Sequence, residues 1–311
     1  MTRTVLITGG AGFIGSNLAR RLSDDDSTDV RVLDDLSTGR IESVRDLGVD
    51  VIIGSILDRA VLSDAMHEVD AVVHLAALGS VPASVADPRM THDVNVNGTL
   101  NVLEEARVGR PHVIFSSSSA VFGSNPKVAK DPDDWTRPIS PYGASKLAAE
   151  GYVNAYATSY GLSTLALRFF NVYGPGQYAD HAYAAVIPRF VEAALTGDPL
   201  EIHGDGLQSR DFTFVDTVCD VIVDALDRRF ELPHPVHLAY GTSASLLMVV
   251  DELERAVGRP LDRRFVAARI GDVRASQSNT AGVFEYFPSV SSIGLEDGLA
   301  RTLEWARMQP R

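Results

Sequence analysis

The sequence predicts an α/β protein with a doubly wound parallel sheet and a smaller second α/β lobe. Short β-branched runs alternate with amphipathic stretches through the first half of the chain, as expected when helices cover both faces of a parallel sheet. A glycine-rich turn joins the first run to the first amphipathic stretch. The alternation is lost after residue 172, where Gly174-Pro175-Gly176 forms a turn. We therefore expect a first domain in 1–172, which the chain rejoins at 208–235, and a second lobe in 173–311.

The individual elements follow from the same patterns. Apolar β-branched runs predict strands, and apolar residues at helical spacing predict helices. In the first domain we predict strands at 4–8, 29–34, 49–54, 71–76 and 112–117, and helices at 13–22, 97–107 and 145–159. In the second lobe we predict helices at 187–195, 249–257 and 295–308, and strands at 199–202, 210–215 and 235–239.

The composition narrows the class of protein. The chain has 311 residues, a formal charge of -13 and ordinary globular proportions of hydrophobic and charged residues, so it is a poor non-specific binder of nucleic acid or anionic membranes. Cys219 is the single cysteine, which excludes an intramolecular disulfide and suits a reducing compartment. The N-terminus enters the first strand with no signal-peptide pattern, and no apolar run has the length of a membrane span. We expect a cytoplasmic protein.

The glycine turn has the features of a dinucleotide site. Gly9, Gly12 and Gly15 follow the first strand and open the first helix, so the backbone can approach a pyrophosphate that the helix N-terminus attracts. Asp34 ends the second strand 19 residues after Gly15, where a carboxylate binds the adenosine ribose in Rossmann-type sheets. A carboxylate there repels a 2′-phosphate, so the sequence predicts NAD rather than NADP. Asp35 is the neighbouring alternative.

The candidate catalytic residues are Tyr142 and Lys146, preceded by the serine run Ser116 to Ser119. A tyrosine is a weak base because its ordinary pKa is about 10. A cationic lysine one helical turn away can lower the tyrosine pKa and make the hydroxyl a proton acceptor. The pair therefore predicts chemistry at an alcohol or sugar hydroxyl.

Motifs at these and other positions resemble the extended short-chain dehydrogenase/reductases of the nucleotide-sugar epimerase/dehydratase group. The matching stretches are 8–15, 73–77, 95–99, 115–123, 140–146, 167–174, 204–215 and 271–274. The resemblance implies that Ser118 hydrogen-bonds the substrate 4-hydroxyl, that Tyr142 removes its proton, and that Lys146 binds the nicotinamide ribose.

The resemblance also assigns binding residues. The implied cofactor set is Gly9, Gly12, Phe13, Ile14, Gly15, Asp34, Asp35, Ser55, Ile56, Leu75, Ala76, Ala77, Asn95, Ser116, Tyr142 and Lys146. The implied substrate set is Ser80, Ser118, Asn171, Arg210, Arg269, Asp272 and Ser276. In that set Arg210 and Arg269 clamp the diphosphate, and Ser276 gates the sugar 2-substituent. Ser55 departs from the family, which usually has an aspartate against adenine.

The residues after Ser118 distinguish the activities within this group. Family members that eliminate water carry an Asp-Glu pair there, whereas this chain has Ser119-Ala120. We therefore expect a UDP-hexose 4-epimerase, acting on UDP-N-acetylglucosamine and UDP-N-acetylgalactosamine because Ser276 leaves room for an acetamido group. A UDP-glucose or UDP-glucuronate 4-epimerase, a net dehydrogenase or reductase, and a catalytically inactive NAD-binding regulator stay open as alternatives.

Two further expectations concern partners. The family usually pairs subunits through helices of the first domain, so the resemblance implies a homodimer. His234 and His237 are close in sequence but have no matching third ligand, so we expect no metal.

Overall fold

The computed structural model describes residues 2–180, 184–268, 274–279 and 281–309. The strands, numbered in chain order, are β1 (Arg3–Thr8), β2 (Thr28–Asp34), β3 (Asp50–Ile53), β4 (Ala71–His74), β5 (His112–Ser118), β6 (Ala129–Lys130), β7 (Thr164–Phe169), β8 (Asn171–Tyr173), β9 (Leu200–His203), β10 (Ser209–Arg210), β11 (Phe212–Phe214), β12 (Val236–Leu238), β13 (Ala244–Ser245), β14 (Arg263–Val266) and β15 (Ala275–Ser278).

The α-helices are numbered in the same way. They are α1 (Phe13–Ser23), α2 (Arg59–Ala65), α3 (Val81–Ala86), α4 (Pro88–His92), α5 (Gly98–Gly109), α6 (Pro141–Tyr160), α7 (Val186–Thr196), α8 (Val215–Asp227), α9 (Leu246–Val257), α10 (Ala281–Tyr286) and α11 (Leu295–Met308). Short 3₁₀ turns lie at Ile41–Ser43 and Ser119–Val121, and a π-helical turn lies at Asp93–Asn97.

The chain divides into two compact units. The first contains Met1–Asn125, Pro132–Phe169 and Cys219–Val236. The second contains Pro126–Asp131, Phe170–Val218 and His237–Arg311.

The first unit is built on a parallel sheet with the strand order β3-β2-β1-β4-β5-β7-β12. The order reverses between β1 and β4, and in such sheets ligands bind at the carboxyl ends of the strands beside this switch point. The register pairs Thr8 of β1 with His74 of β4, and His74 with Phe115 of β5. The loops that follow these three strands therefore begin side by side, and the predicted doubly wound α/β class is confirmed.

Fully buried side chains from the strands and the covering helices form the core of the first unit. Leu6, Leu33 and Val72 from the sheet pack with Leu103 of α5 and Val153 of α6. Burying such side chains stabilises the fold by about 1.5–3 kcal/mol each. This core fixes α5 and α6 against the strands whose ends carry the predicted site.

Helix α6 begins earlier than the sequence pattern indicated. We predicted a helix at 145–159, whereas α6 runs from Pro141 to Tyr160. The Ser140 side chain caps it by accepting from the Gly143 N–H, and Pro141 occupies the first turn, where a missing N–H costs nothing. The consequence is that Tyr142 lies in the first turn of a long, capped helix rather than in a loop.

Other departures have local causes. The predicted strand at 210–215 is interrupted at Asp211, whose buried carboxylate accepts from Gly241 N and Ser278 N. The predicted helix at 97–107 is preceded by the π-helical turn, in which the Gly98 N–H bonds to Asp93 O. Helices α3 and α4 occupy a segment for which we predicted no element.

The second unit has smaller sheets and its own core. Its four-stranded sheet has the order β13-β10-β15-β6, and β8 pairs with β11 and β9 with β14 in separate parallel pairs. Phe190 of α7, Val250 of α9 and Leu299 of α11 are buried in the same apolar cluster. In the described part of the chain, no helix combines the length and apolar character required to cross a membrane.

Candidate active site

The loop between β1 and α1 is shaped for close approach of a ligand to the backbone. Gly9 has a φ of +72°, and a Cβ there would lie 2.7 Å from Ala76 N. A Cβ on Gly15 would lie 2.3 Å from Gly9 O. The N-cap of α1 is Gly12, which has no side chain to occupy the first-turn N–H groups. The loop therefore keeps the positive end of α1 accessible to an anion.

Asp34 is fixed at the carboxyl end of β2. It is 8% exposed, and its carboxylate accepts from Ala11 N at 2.9 Å and Leu36 N at 2.8 Å. Burial raises the pKa of Asp34, while the backbone N–H groups act in the opposite direction. The bond to Ala11 ties Asp34 to the glycine loop, which is the arrangement that a dinucleotide needs.

The neighbouring predicted cofactor residues lie on the loops after β2, β3 and β4. Asp35 is exposed and accepts from Ser37 N at 2.9 Å. Ser55 accepts from Leu57 N at 3.3 Å, and Ile56 is buried. Leu75 N donates to Thr8 O at 3.0 Å, which holds the segment formed by Leu75, Ala76 and Ala77 against the end of β1.

Ser118 acts on the titration of Tyr142. Burial has the largest effect and raises the pKa of Tyr142, while the Ser118 side chain acts in the opposite direction and lowers it. The Ser118 Oγ accepts from Ala120 N at 3.2 Å. The Tyr142 N–H donates to Ser84 Oγ at 3.1 Å, so the backbone of the tyrosine is held in place.

Lys146 lies one turn further along α6 and is 4% exposed. Its Nζ donates to Ser116 O at 2.8 Å and lies 3.4 Å from Ser116 Oγ. Burial lowers the pKa of Lys146 to about 7. The Lys146 ammonium is directed to β5, and Ser118 is the group that lowers the pKa of Tyr142 against burial. The lowering of the Tyr142 pKa by Lys146 stays a prediction.

Asn95 and Ser80, which the sequence assigned to binding, also hold the protein chain. The Asn95 amide accepts from Leu78 N at 2.8 Å and donates to Leu78 O at 3.2 Å and to Ser145 Oγ at 2.9 Å. Ser80 is the N-cap of α3 and accepts from Ala83 N. These bonds fix the loop after β4 beside α6.

The second unit contains the other predicted substrate residues. Arg210 on β10 and Ser276 on β15 are opposite each other in a parallel register. Arg210 Nη1 donates to Ser209 O at 2.7 Å, and Asn171 Nδ2 donates to Asp211 O at 3.1 Å. Arg269 and Asp272 lie outside the described residues.

A buried ion pair that the sequence did not reveal involves the helix of the candidate catalytic residues. Arg168 of β7 and Glu150 of α6 form a two-armed contact at 2.9 and 2.7 Å, with side chains 5% and 4% exposed. Ser117 donates to the same carboxylate at 2.6 Å. The available signal was the spacing of Glu150, four residues after Lys146 on α6, together with a charged Arg168 inside an apolar strand.

Comparison with known proteins shows the family. Residues 5–241 match the NAD dependent epimerase/dehydratase family, and the chain belongs to it. The UDP-glucose 4-epimerase of Mycolicibacterium smegmatis is 36% identical over 97% of this chain and 98% of that protein.

Two solved structures are similar over the whole chain. A UDP-N-acetylglucosamine 4-epimerase from Methanobrevibacter ruminantium, in complex with UDP-N-acetylmuramic acid, has a TM-score of 0.93 at 33% identity and covers 98% of both chains. A UDP-glucuronic acid 4-epimerase from Bacillus cereus, in complex with UDP-glucuronic acid and NAD, has a TM-score of 0.90 at 28% identity and covers 98% of this chain and 99% of that one. The predictions of the family, of NAD as cofactor and of an isomerase of the UDP-sugar 4-epimerase class are confirmed.

Proposed function

We propose that this chain interconverts UDP-N-acetylglucosamine and UDP-N-acetylgalactosamine by inverting C4, with NAD as a retained cofactor. The proposal is carried by the hydroxyl groups of Tyr142 and Ser118 in the absence of a neighbouring carboxylate. Ser118 lowers the pKa of Tyr142, and the two residues after Ser118 are Ser119 and Ala120. Elimination or decarboxylation needs an acid or base beside the reacting carbon. A residue pair that only takes and returns a proton is sufficient for epimerisation.

The chain's own residues supply the proton transfers. Ser118 orients the sugar 4-hydroxyl, and Tyr142 removes its proton as C4 is oxidised. Bound NAD supplies the hydride acceptor at C4 and afterwards the hydride donor. Tyr142 then returns the proton after the keto sugar has presented its opposite face. Lys146, held by Ser116, is assigned to the nicotinamide ribose.

The glycine loop and Asp34 fit the cofactor. The crowding at Gly9 and Gly15 leaves backbone rather than side chains facing the pyrophosphate. Asp34, fixed by Ala11 and Leu36, is assigned to the adenosine ribose and disfavours a 2′-phosphate. Ser55 and Ile56 are assigned to the adenine, and the Leu75 to Ala77 segment to the nicotinamide half.

The nucleotide-sugar half is assigned to the second unit. We infer that Arg210 and Arg269 bind the diphosphate because guanidinium groups match phosphate oxygens in geometry and charge. Asn171 is assigned to the diphosphate-sugar, Asp272 to the uridine ribose, and Ser80 of the first unit to the sugar. We thus assign the cofactor mainly to residues 1–172, which the chain rejoins at 208–235, and the nucleotide sugar mainly to 173–311, with contributions from Ser80 and Asn171.

The proposed preference for an acetamido sugar is based on the small side chain of Ser276. Ser276 lies opposite Arg210 in register, so a residue next to the proposed diphosphate site takes up little volume. The structural neighbour from Methanobrevibacter ruminantium, a UDP-N-acetylglucosamine 4-epimerase, supports the same preference. UDP-glucose is the second candidate, supported by the 36% identical Mycolicibacterium smegmatis relative.

The proposal is tested by incubating the purified protein with UDP-N-acetylglucosamine, UDP-glucose or UDP-glucuronate and no added NAD. We expect NMR to show the C4 epimer of the N-acetylated sugar forming fastest. Faster conversion of UDP-glucose would establish the second candidate. If no sugar yields an epimer, the proposed activity is wrong.

Ser118 gives a prediction for the pH dependence. The Ser118→Ala variant loses the hydroxyl that lowers the pKa of Tyr142, so the base form of Tyr142 appears only at higher pH. We expect the acid limb of the kcat profile to move to higher pH and kcat at pH 7 to fall by about tenfold or more. Ser119→Ala is the matched control from the neighbouring position, and an equal shift in both variants would contradict the assignment.

We further propose a cytoplasmic homodimer that pairs through α5 and α6. These helices expose Val108, Tyr152 and Tyr160 by 82%, 41% and 44%, and apolar surface of this kind is typical of subunit contacts. Sedimentation of the wild type against a Tyr152→Glu, Tyr160→Glu variant checks the pairing.

A further inference from the structure

His74 is a buried imidazole that the proposed proton transfers do not use. It ends β4 and is 1% exposed. Its Nδ1 lies 2.7 Å from Thr8 Oγ1, and its Nε2 lies 3.0 Å from Thr99 Oγ1. One ring thus joins the residue before the glycine loop to the start of α5.

The donor and acceptor in each hydrogen bond of His74 can be assigned because each threonine hydroxyl has a single hydrogen to donate. Thr99 Oγ1 donates to Asn95 O at 2.7 Å, so it accepts from His74 Nε2–H. The Nδ1 atom then accepts from Thr8 Oγ1, which in turn accepts from Ala76 N at 3.3 Å. One tautomer of neutral His74 satisfies every group.

The neutral state of the ring is secured by its surroundings. Burial holds the pKa of His74 at about 3, and the Lys146 charge acts in the same direction. Protonation would put a second N–H towards Thr8 and reverse that bond. The arrangement is therefore stable across the pH range in which an enzyme of this class works.

The bonds continue beyond Asn95 to the catalytic helix. Asn95 Nδ2 donates to Ser145 Oγ at 2.9 Å, and Ser145 Oγ donates to Tyr142 O at 2.8 Å. Asn95 belongs to the π-helical turn, a feature that is frequent at functional sites. The end of β1 and the first turn of α6 are thus connected through the buried side chains of Thr8, His74, Thr99, Asn95 and Ser145.

We propose that this connected set, the His74 relay, positions the catalytic tyrosine relative to the glycine loop. Its members in order are Ala76, Thr8, His74, Thr99, Asn95, Ser145 and Tyr142. Buried networks with every donor and acceptor satisfied hold one arrangement because any break leaves an unpaired polar group in a low dielectric. His74 is the central positioning residue because its rigid ring joins the β1 side of the relay to the α5 side.

The test compares two threonines in equivalent local settings. Thr99 and Thr302 are each 1% exposed, and each donates Oγ1 to the carbonyl four residues earlier, at 2.7 and 2.6 Å. Thr302 lies in α11 of the second unit and is not a member of the relay. Thr302→Val therefore controls for the loss of the hydroxyl-to-carbonyl bond alone. Thr99→Val also leaves the His74 Nε2–H unpaired, so it should lower Tm more than Thr302→Val does. Thr99→Val alone should lower kcat by about tenfold or more at unchanged KM.

A second readout does not depend on turnover. The amount of NAD that remains on the purified protein is measured by acid release and chromatography, and we expect a clear reduction in Thr99→Val but not in Thr302→Val. His74→Leu should behave like Thr99→Val, whereas His74→Gln, which can accept from Thr8 and donate to Thr99, should restore most of both readouts.

The possible outcomes distinguish failure of the His74 relay from failure of the proposed epimerase activity, on which the kcat comparison depends. If Thr99→Val matches Thr302→Val in kcat and in retained NAD, the relay is wrong. If the wild type epimerises no sugar, the proposed function fails, while the NAD comparison still decides the relay. If His74→Leu does not fold, the comparison of Thr99→Val with Thr302→Val decides the relay by itself.

Discussion

Replacement of Tyr142 by phenylalanine is expected to lower kcat by about a thousandfold while KM for the UDP-sugar changes little. Ser118 lowers the pKa of Tyr142, which lies one helical turn before the buried Lys146. In the proposed mechanism its hydroxyl takes a proton in the transition state. Loss of a positioned general base costs about 10²–10⁴ in rate, whereas ground-state binding by other residues is unaffected. Steady-state assays that follow the C4 epimer by NMR or chromatography measure kcat and KM.

The matched control for this substitution lies on the same helix. Tyr152 is 41% exposed, and Tyr152→Phe removes a hydroxyl from α6 outside the site while keeping the ring on which the proposed subunit contact depends. We expect its kcat to remain within about twofold of the wild type, as is usual for exposed positions. Turnover of Tyr142→Phe above a tenth of the wild-type rate would exclude Tyr142 as the proton acceptor.

The second large effect concerns stability. Arg168→Met leaves the Glu150 carboxylate buried without its guanidinium, although Ser117 still donates to it. An uncompensated buried charge costs about 3–5 kcal/mol. For a chain of this size we expect Tm to fall by roughly 5–8 °C, measured by calorimetry on nucleotide-free protein.

Two control variants show whether the loss of Tm arises from the burial of the Glu150 charge or from the loss of an ion pair as such. Arg45 and Glu42 are 60% and 67% exposed in their pair, and exposed pairs contribute at most about 1 kcal/mol, so Arg45→Met should leave Tm nearly unchanged. The Glu150→Leu, Arg168→Met double variant removes both charges and should recover much of the lost Tm. Equal effects of Arg168→Met and Arg45→Met would contradict the prediction.

The chemistry of the candidate site was largely predictable because it is encoded in local spacing. Gly9, Gly12 and Gly15 stand at a strand-to-helix junction, and Asp34 ends the next strand, so the pattern alone predicted a dinucleotide loop. Tyr142 and Lys146 are one helical turn apart in any α-helix. Such signals depend on residues close in sequence, which is why they can be read without a structure.

The supporting contacts were not predictable in the same way. Glu150 meets Arg168 across 18 residues, and His74 meets Thr8 across 66 residues, so neither pairing leaves a local pattern. The contact in which Ser84 accepts the Tyr142 N–H spans 58 residues and was likewise not predicted. The start of α6 was predicted four residues too late, because Pro141 and Gly143 are poor helix formers by themselves and only the cap at Ser140 accommodates them.

The sequence by itself determined the fold class and the cofactor type and predicted the candidate proton-transferring pair, because hydrophobic periodicity, glycine placement and helical spacing are short-range properties of the chain. The tertiary structure alone decided how those groups are held and tuned. Burial brings the Lys146 pKa to about 7, Ser118 lowers the pKa of Tyr142 against the larger effect of burial, and neutral His74 joins β1 to α5. Desolvation and hydrogen-bond direction depend on every neighbour in space, and parallel strands bring together neighbours that lie far apart in the chain.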